Sequence, residues 1–277
     1  MPPWLSQKIP EGEDFFRISE YIAAEKIHTV CQEAKCPNRT ECWARGTLTF
    51  QILGDVCTRA CGFCAEKRGR PDFRDPHEPA RVVQAAKALG LRHVVITAPA
   101  RDDMPDGGSQ QFAATIRELR SALPNTTVEV LVPDFQENAR SLQTVFDARP
   151  DVFNHNIETV RRLTPRVRSR ATYERSLRVL KKAGEAGLKT KSGLMVGLGE
   201  TREEIDRTLQ DLRQARVRLL TIGQYLPPSN KHLPLDRYYT PQEFEDIRRD
   251  ALALGFEQAA SGPLVRSSYH ADEMITS

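Results

Sequence analysis

Six times along this chain a short apolar or β-branched run gives way to a loop and then to a stretch with helical spacing. The strand-like runs are 48–54, 93–98, 127–132, 152–156, 189–196 and 219–225, and the helical stretches are 78–89, 109–123, 139–147, 172–186, 201–215 and 241–254. Val82, Val83, Ala86 and Leu89 repeat at helical spacing in the first helix, and Ile205, Leu209 and Leu212 mark the apolar face of the fifth. Thr201 with Glu204 forms a capping-box pattern, and Thr240 before Pro241 reads as N-cap then first helical position. Parallel strands need a crossover helix, so this alternation predicts a parallel α/β sheet, a partial or full (β/α) barrel of about six βα repeats. Barrels of this kind gather functional groups at the C-terminal ends of their strands. Residues 57–64, 101–108, 154–158, 197–200 and 224–230 fall there, and they are the polar, Gly-rich or otherwise irregular segments of the chain.

At 277 residues one large core is affordable, and 39% hydrophobic with 28% charged residues is ordinary for a globular protein. The barrel then occupies 48–260, with an N-terminal extension over 1–47 and a C-terminal extension over 261–277. The balance of 40 basic against 37 acidic residues says little about partners, with one local exception. Between Arg161 and Lys191 eleven Lys or Arg face only Glu174 and Glu185, a pattern that fits either a docking surface for an acidic partner or a solvated helix face. Nucleic acid is not expected, because Tyr173 is the sole aromatic in that stretch to stack a base. No run approaches the apolar length of a membrane helix, and the first residues match neither a signal nor a transit peptide, so the expected location is cytoplasmic. No coiled-coil pattern stands out, which favours a monomer.

All six cysteines lie between positions 31 and 64, as Cys31-x4-Cys36-x5-Cys42 and Cys57-x3-Cys61-x2-Cys64. Disulfides are disfavoured in a cytoplasmic chain with its own core. Zinc wants four closed ligands where each triplet supplies three, although His28, His77, His155 or His270 offer a fourth. A [4Fe–4S] cluster held by three thiolates keeps one iron open for a small molecule, and the x3, x2 spacing points there.

The segment from Gly54 to Cys64, Gly-Asp-Val-Cys-Thr-Arg-Ala-Cys-Gly-Phe-Cys, resembles the signature of the radical S-adenosylmethionine superfamily. Further segments resemble the lipoyl synthases within it: the Cys31–Cys42 stretch with its Cys-Pro-Asn, the stretch around Asn154, His155, Asn156 and Glu158, Gly197-Leu-Gly199-Glu200-Thr201, and Arg266-Ser267-Ser268-Tyr269-His270. The likeness runs from about residue 20 to 272. One departure is Ala98-Pro99-Ala100 ahead of Arg101-Asp102-Asp103, where the family is expected to carry Ser-Val.

That resemblance implies two [4Fe–4S] clusters and S-adenosylmethionine as cofactors. It assigns Cys57, Cys61 and Cys64 to the cluster that cleaves S-adenosylmethionine, with Phe63 against the adenine. Cys31, Cys36 and Cys42 then hold an auxiliary cluster whose fourth ligand is Ser268, with Ser267 as the fallback. A hard serine oxygen leaves iron more easily than thiolate, which suits a cluster consumed as sulfur donor. The implied substrate is an octanoyl chain amide-linked to lysine of a lipoyl carrier domain, sulfur entering at C6 and C8. The implied partners are 2-oxoacid dehydrogenase E2 subunits, the glycine cleavage H protein, a ferredoxin or flavodoxin reductant and a cluster-repair protein. Asn154, Asn156, Glu158 and Arg170 are expected to bind the methionine or ribose of the cofactor, and Gly197, Gly199 and Glu200 to lie along its adenosine. His155 is expected to be a packed, satisfied histidine, and His270 either a proton-handling or a surface residue. Other sulfur-inserting members, resembling biotin synthase or a methylthiotransferase, share the second triplet alone. A non-enzymatic cluster carrier or redox sensor is the alternative from another class.

Overall fold

Strands in this chain are short and flanked by polar loops, so the fold depends on where each ladder begins and ends. A computed structural model describes residues 2–6, 13–45, 47–71 and 75–275. In chain order the helices are α1 (Glu13–Ala24), α2 (Val30–Glu33), α3 (Arg39–Ala44), α4 (Glu78–Ala88), α5 (Ser109–Ala122), α6 (Ala139–Asp147), α7 (Thr164–Val167), α8 (Tyr173–Glu185), α9 (Arg202–Gln214) and α10 (Pro241–Ala253). The strands are β1 (Thr49–Gln51), β2 (Val56–Cys57), β3 (Lys67–Arg68), β4 (His93–Thr97), β5 (Thr127–Leu131), β6 (Val152–Asn154), β7 (Thr190–Val196), β8 (Leu219–Gln224) and β9 (Gln258–Gly262).

Sheet order follows chain order, β1-β4-β5-β6-β7-β8-β9, as expected where each strand is followed by a crossover helix. The observed architecture is a parallel α/β sheet of seven strands, and no pairing joins β9 back to β1 among the described residues. Six of these strands, β1 and β4 to β8, carry the sequence pattern. The seventh, β9, reads Gln-Ala-Ala-Ser-Gly and has neither β-branched nor aromatic residues to mark it. It is a strand because β8 supplies a parallel partner from Leu219↔Gln258 to Gly223↔Gly262.

The chain divides into two compact units. One comprises Gln7–Arg59, Ala65–Val152 and His270–Ser277. Here β4 pairs in parallel with β1 and with β5, and Val94, Ile96, Val128 and Val130 are fully buried, as are Phe112, Ile116 and Leu119 of α5. The N-terminal segment lies along β1: Thr29 bridges Phe50, and Gln51 N–H donates to His28 O at 2.9 Å. Its three helices α1 to α3 were not anticipated, since two of them are shorter than two turns and only α1 has room for an amphipathic repeat.

The other unit comprises Met1–Ser6, Ala60–Cys64 and Phe153–Tyr269. Strands β6 to β9 pair in parallel, and Leu194, Val196, Leu220 and Ile222 join Leu180, Ile205, Leu209, Leu212, Phe244 and Ile247 in one core. Helices α9 and α10 both begin in full capping boxes, Thr201 with Glu204 and Thr240 with Glu243. In each, the N-cap hydroxyl and the N3 carboxylate satisfy one another's backbone N–H, which sets where the helix starts. Among the described residues no helix is long and apolar enough to cross a membrane.

Candidate functional site

The first triplet sits in the unit that carries β1. Cys31 lies on the one-turn helix α2 and is buried, Cys36 follows it, and Cys42 rides on α3. Local bonds set the spacing: Cys36 N–H donates to Cys31 O at 3.1 Å, and Cys42 O accepts from the N–H and the hydroxyl of Thr47, each at 2.9 Å. Burial pushes the Cys31 thiol up to about 11, with Cys36 adding to the shift. Burial likewise pushes Cys42 up to about 12, reinforced by Cys36, Cys31 and Glu41. Three sulfurs that oppose one another's ionisation form a site that only a positive centre makes comfortable as thiolates. A single zinc ion at about 2.3 Å per sulfur draws its sulfurs to within about 3.8 Å of each other. Among the described residues the only trio of His, Cys, Asp or Glu ligand atoms within 4.8 Å of one another is His28, Glu33 and Asp55. A multi-iron cluster fits that donor set.

The second triplet follows β1 in the chain and is bracketed by the parallel pair β2 and β3, Val56↔Lys67 and Cys57↔Arg68. Cys57 accepts from Arg59 N–H at 3.4 Å within its unit. In the other unit Cys61 accepts from Ser169 N–H at 3.4 Å, and Cys64 O lies 3.1 Å from His232 Nε2. Gly62 between them donates to Val167 O and accepts from Leu233 N–H. A Cβ on Gly62 would sit 2.9 Å from the Leu233 side chain, so glycine lets this loop pack closely there. Phe63 is half-buried and packs on the same core as Leu233 and Leu235. All six cysteines lie outside any disulfide.

Several expected cofactor contacts cluster at the end of β6. Asn154 is buried, and beyond it the chain is stitched to β7: Ser192 Oγ donates to His155 O and accepts from Ile157 N–H, while Glu158 N–H donates to Gly193 O at 3.0 Å. His155 is a packed histidine, its Nε2 2.9 Å from Ser176 Oγ. Glu158 adopts φ +69°, rare for a residue with a Cβ, and burial holds its carboxyl above the ordinary range against the pull of Arg168 and Asn156. Asn156 donates to Ser267 Oγ at 3.3 Å, and a Cβ on Gly193 would meet Asn156 Oδ1 at 2.6 Å.

Gly197 has φ +105°, and a Cβ there would lie 2.2 Å from Gln224 Nε2. Gly199 has φ +99°. Glu200 turns back on this loop, accepting from Gly197 N–H at 2.6 Å and Leu198 N–H at 2.9 Å, so it shapes the turn through both oxygens. Arg170 is exposed, with φ +59°.

The basic stretch is less uniform than its sequence. Lys191 is fully buried on β7 and belongs to no surface. Arg161 pairs with Glu174 and Asp211, Arg162 with Glu204, and Lys181 with Glu185. His270 is tied into the C-terminal turn: Arg45 Nη1 lies 2.9 Å from its Nε2, Arg45 also pairs with Glu273, and Glu41 Oε1 is 3.4 Å from the ring. Gly223 was not anticipated. A Cβ on it would lie 2.0 Å from Val265 O, so β8 admits the chain just ahead of Arg266-Ser267-Ser268 only because that side chain is missing.

Residues 52–212 match the Radical SAM superfamily, and residues 1–36 match the N-terminal domain of lipoyl synthase of the Radical SAM family. The lipoyl synthase of Rubrobacter xylanophilus is 57% identical over 98% of this chain and 85% of its own length. The chain belongs to the lipoyl synthase family. Solved structures agree on the fold: HydG, a maturase of the [FeFe]-hydrogenase, superposes with a TM-score of 0.58 at 13% identity over 90% of this chain and 72% of its own. Streptococcus suis SuiB bound to its precursor peptide SuiA gives 0.60 at 12% identity over 81% of this chain and 53% of its own. Membership makes the chain a radical S-adenosylmethionine enzyme whose cofactors are [4Fe–4S] clusters and S-adenosylmethionine.

Proposed function

We infer that this enzyme inserts two sulfur atoms, at C6 and C8, into an octanoyl chain amide-linked to a lysine of a lipoyl carrier domain, with the auxiliary cluster as sulfur donor. The observation that carries the reading is the second, separate set of thiols, Cys31 on α2, Cys36 just after it and Cys42 on α3, all free of disulfides. A radical enzyme that only cleaved S-adenosylmethionine has no use for it. When bound, the cofactors supply an electron and, from S-adenosylmethionine, a radical able to take hydrogen from an unactivated carbon.

The chain's own groups do the rest. Cys57, Cys61 and Cys64 would hold the radical-generating cluster, and Phe63 would pack beside the adenine of S-adenosylmethionine. Asn154, Asn156, Glu158 and Arg170 bind its polar end, and the turn of Gly197, Gly199 and Glu200 lies along the adenosine. Ser268 completes the auxiliary cluster. One fact supports it over Ser267: the Ser267 hydroxyl already accepts from the Asn156 side-chain amide. We assign 1–47 and 261–277 to the auxiliary cluster and 48–260 to the radical chemistry.

The partners are octanoylated E2 subunits and H protein, a ferredoxin or flavodoxin, and a protein that rebuilds the consumed cluster, all in the cytoplasm. Arg175 and Arg178 on α8 are the docking residues for the acidic carrier. Anaerobic reconstitution with S-adenosylmethionine, a strong reductant and an octanoyl-lysine peptide tests the reaction by peptide mass. A gain of two sulfurs with loss of hydrogen, alongside 5′-deoxyadenosine, is the expected result. An unchanged peptide with 5′-deoxyadenosine still formed would overturn the substrate assignment.

A further inference from the structure

Arg59 stands inside the second triplet, two residues after Cys57 and two before Cys61, yet its side chain is buried at 6% exposure. Its Nε and Nη2 donate to the two oxygens of Asp102 at 2.9 and 2.8 Å, and Nη2 also donates to Asp134 Oδ1 at 2.6 Å. Burial works against the guanidinium charge, and the hydrogen bonds and attraction of Asp102 and Asp134 outweigh it, so Arg59 stays charged. Thr58 is pinned as well. Its N–H and its hydroxyl both donate to Ala100 O, at 3.0 and 2.8 Å, and its Oγ1 accepts from Asp102 N–H at 3.0 Å.

Asp134 is itself held in place. Its carboxylate accepts from Gln136 N–H at 3.0 Å, at the start of a turn in which Phe135, Gln136 and Glu137 take φ +46°, +52° and +62°. Three successive residues with a Cβ in the left-handed region persist only where the surroundings impose them. The same anchor explains why Ala98-Pro99-Ala100 is tolerated: what Thr58 uses is the Ala100 carbonyl, which every residue has.

We propose that Arg59, Asp102 and Asp134 are positioning residues for the radical-generating cluster, fixing Thr58 and Arg59 so that the Cys57 sulfur is presented in a single orientation. This rests on the reading of Cys57, Cys61 and Cys64 as cluster ligands. A bidentate guanidinium–carboxylate pair sets direction as well as distance, which a lysine cannot reproduce. The link to the ligand is short: Arg59 N–H also reaches Cys57 Sγ at 3.4 Å. Groups that orient metal ligands in this way typically change metal affinity by about 10–100-fold when removed.

The test uses full-length protein carrying Cys31→Ala, Cys36→Ala and Cys42→Ala as parent, so that one cluster is observed. Arg59→Lys, Asp134→Asn and Thr58→Val are each reconstituted anaerobically. Iron content, the EPR spectrum of the reduced cluster and its change on adding S-adenosylmethionine are measured beside the melting temperature of the metal-free protein. The expected result is iron binding weakened roughly 10–100-fold in Arg59→Lys, with an altered spectral response to S-adenosylmethionine in all three. Thr58→Val leaves the buried ion pairs whole and separates positioning from folding. Variants that melt lower yet bind iron fully, with the parent's spectrum and the parent's response, would reduce the network to a fold-stabilising one and overturn the proposal. A parent that binds as much iron after Cys57→Ala would remove the cluster reading and the proposal with it.

Discussion

Ser267 and Ser268 are chemically alike, and only their surroundings separate them. Because Asn156 already donates to Ser267 Oγ, Ser268→Ala is expected to lower auxiliary-cluster retention by at least about tenfold and to abolish sulfur insertion, with S-adenosylmethionine cleavage persisting. Ser267→Ala is expected to retain both; iron counting and product mass check the pair, and the reverse pattern would exchange their roles. Gly223→Ala drives a Cβ into the Val265 carbonyl, a backbone atom that cannot rotate aside. Its expected cost is about 1–3 kcal/mol in urea unfolding, with a matching loss of lipoyl product as the Arg266–Ser268 segment is displaced. The cysteines stand out as candidate ligands because thiol spacing is written in the chain. Gly223, Arg59, Asp102 and Asp134 as partners were not, since their contacts join residues far apart in sequence and depend on side-chain direction.

Elements with strong local signals emerged nearly as read. The helix expected at 139–147 is α6, and the two capping patterns stand at the starts of α9 and α10. Thr240→Ala removes one cap hydroxyl and is expected to cost about 1 kcal/mol in thermal or denaturant unfolding while leaving turnover unchanged. A null effect on stability would mean that Pro241 alone sets the helix start. Strands came out shorter than the apolar runs suggested, because their last residues peel away to form rim loops. In the first, read as 48–54, the ladder is only Thr49–Gln51, and Leu53 and Gly54 already have φ of +66° and +81°. Helix α3 and strand β9 lacked any signal of their own. Each exists because a neighbour gives it a partner, and periodicity in one segment cannot report that.

At the scale of the whole molecule, the alternation of strands and helices was enough for a parallel sheet, and the seventh strand extends it. Charge was a poorer guide. The eleven basic residues between 161 and 191 fit either a docking surface or a solvated helix face, but Lys191 is interior and Arg161, Arg162 and Lys181 are balanced by acids. For the proposed docking residues on α8, Arg175→Glu with Arg178→Glu is expected to raise KM for the whole carrier severalfold while leaving turnover of a short octanoyl-lysine peptide unchanged. Unchanged KM for the carrier would move the docking face elsewhere. The most direct test of the central claim is the origin of the inserted sulfur. Both clusters are reconstituted with heavy-isotope sulfide, excess sulfide is removed, and one turnover is run on octanoyl-lysine peptide with S-adenosylmethionine and reductant. Two heavy sulfurs in the product, at no more than one product per chain, is the result predicted for a cluster that gives itself up; light sulfur, or product formed repeatedly without added sulfide, would contradict it.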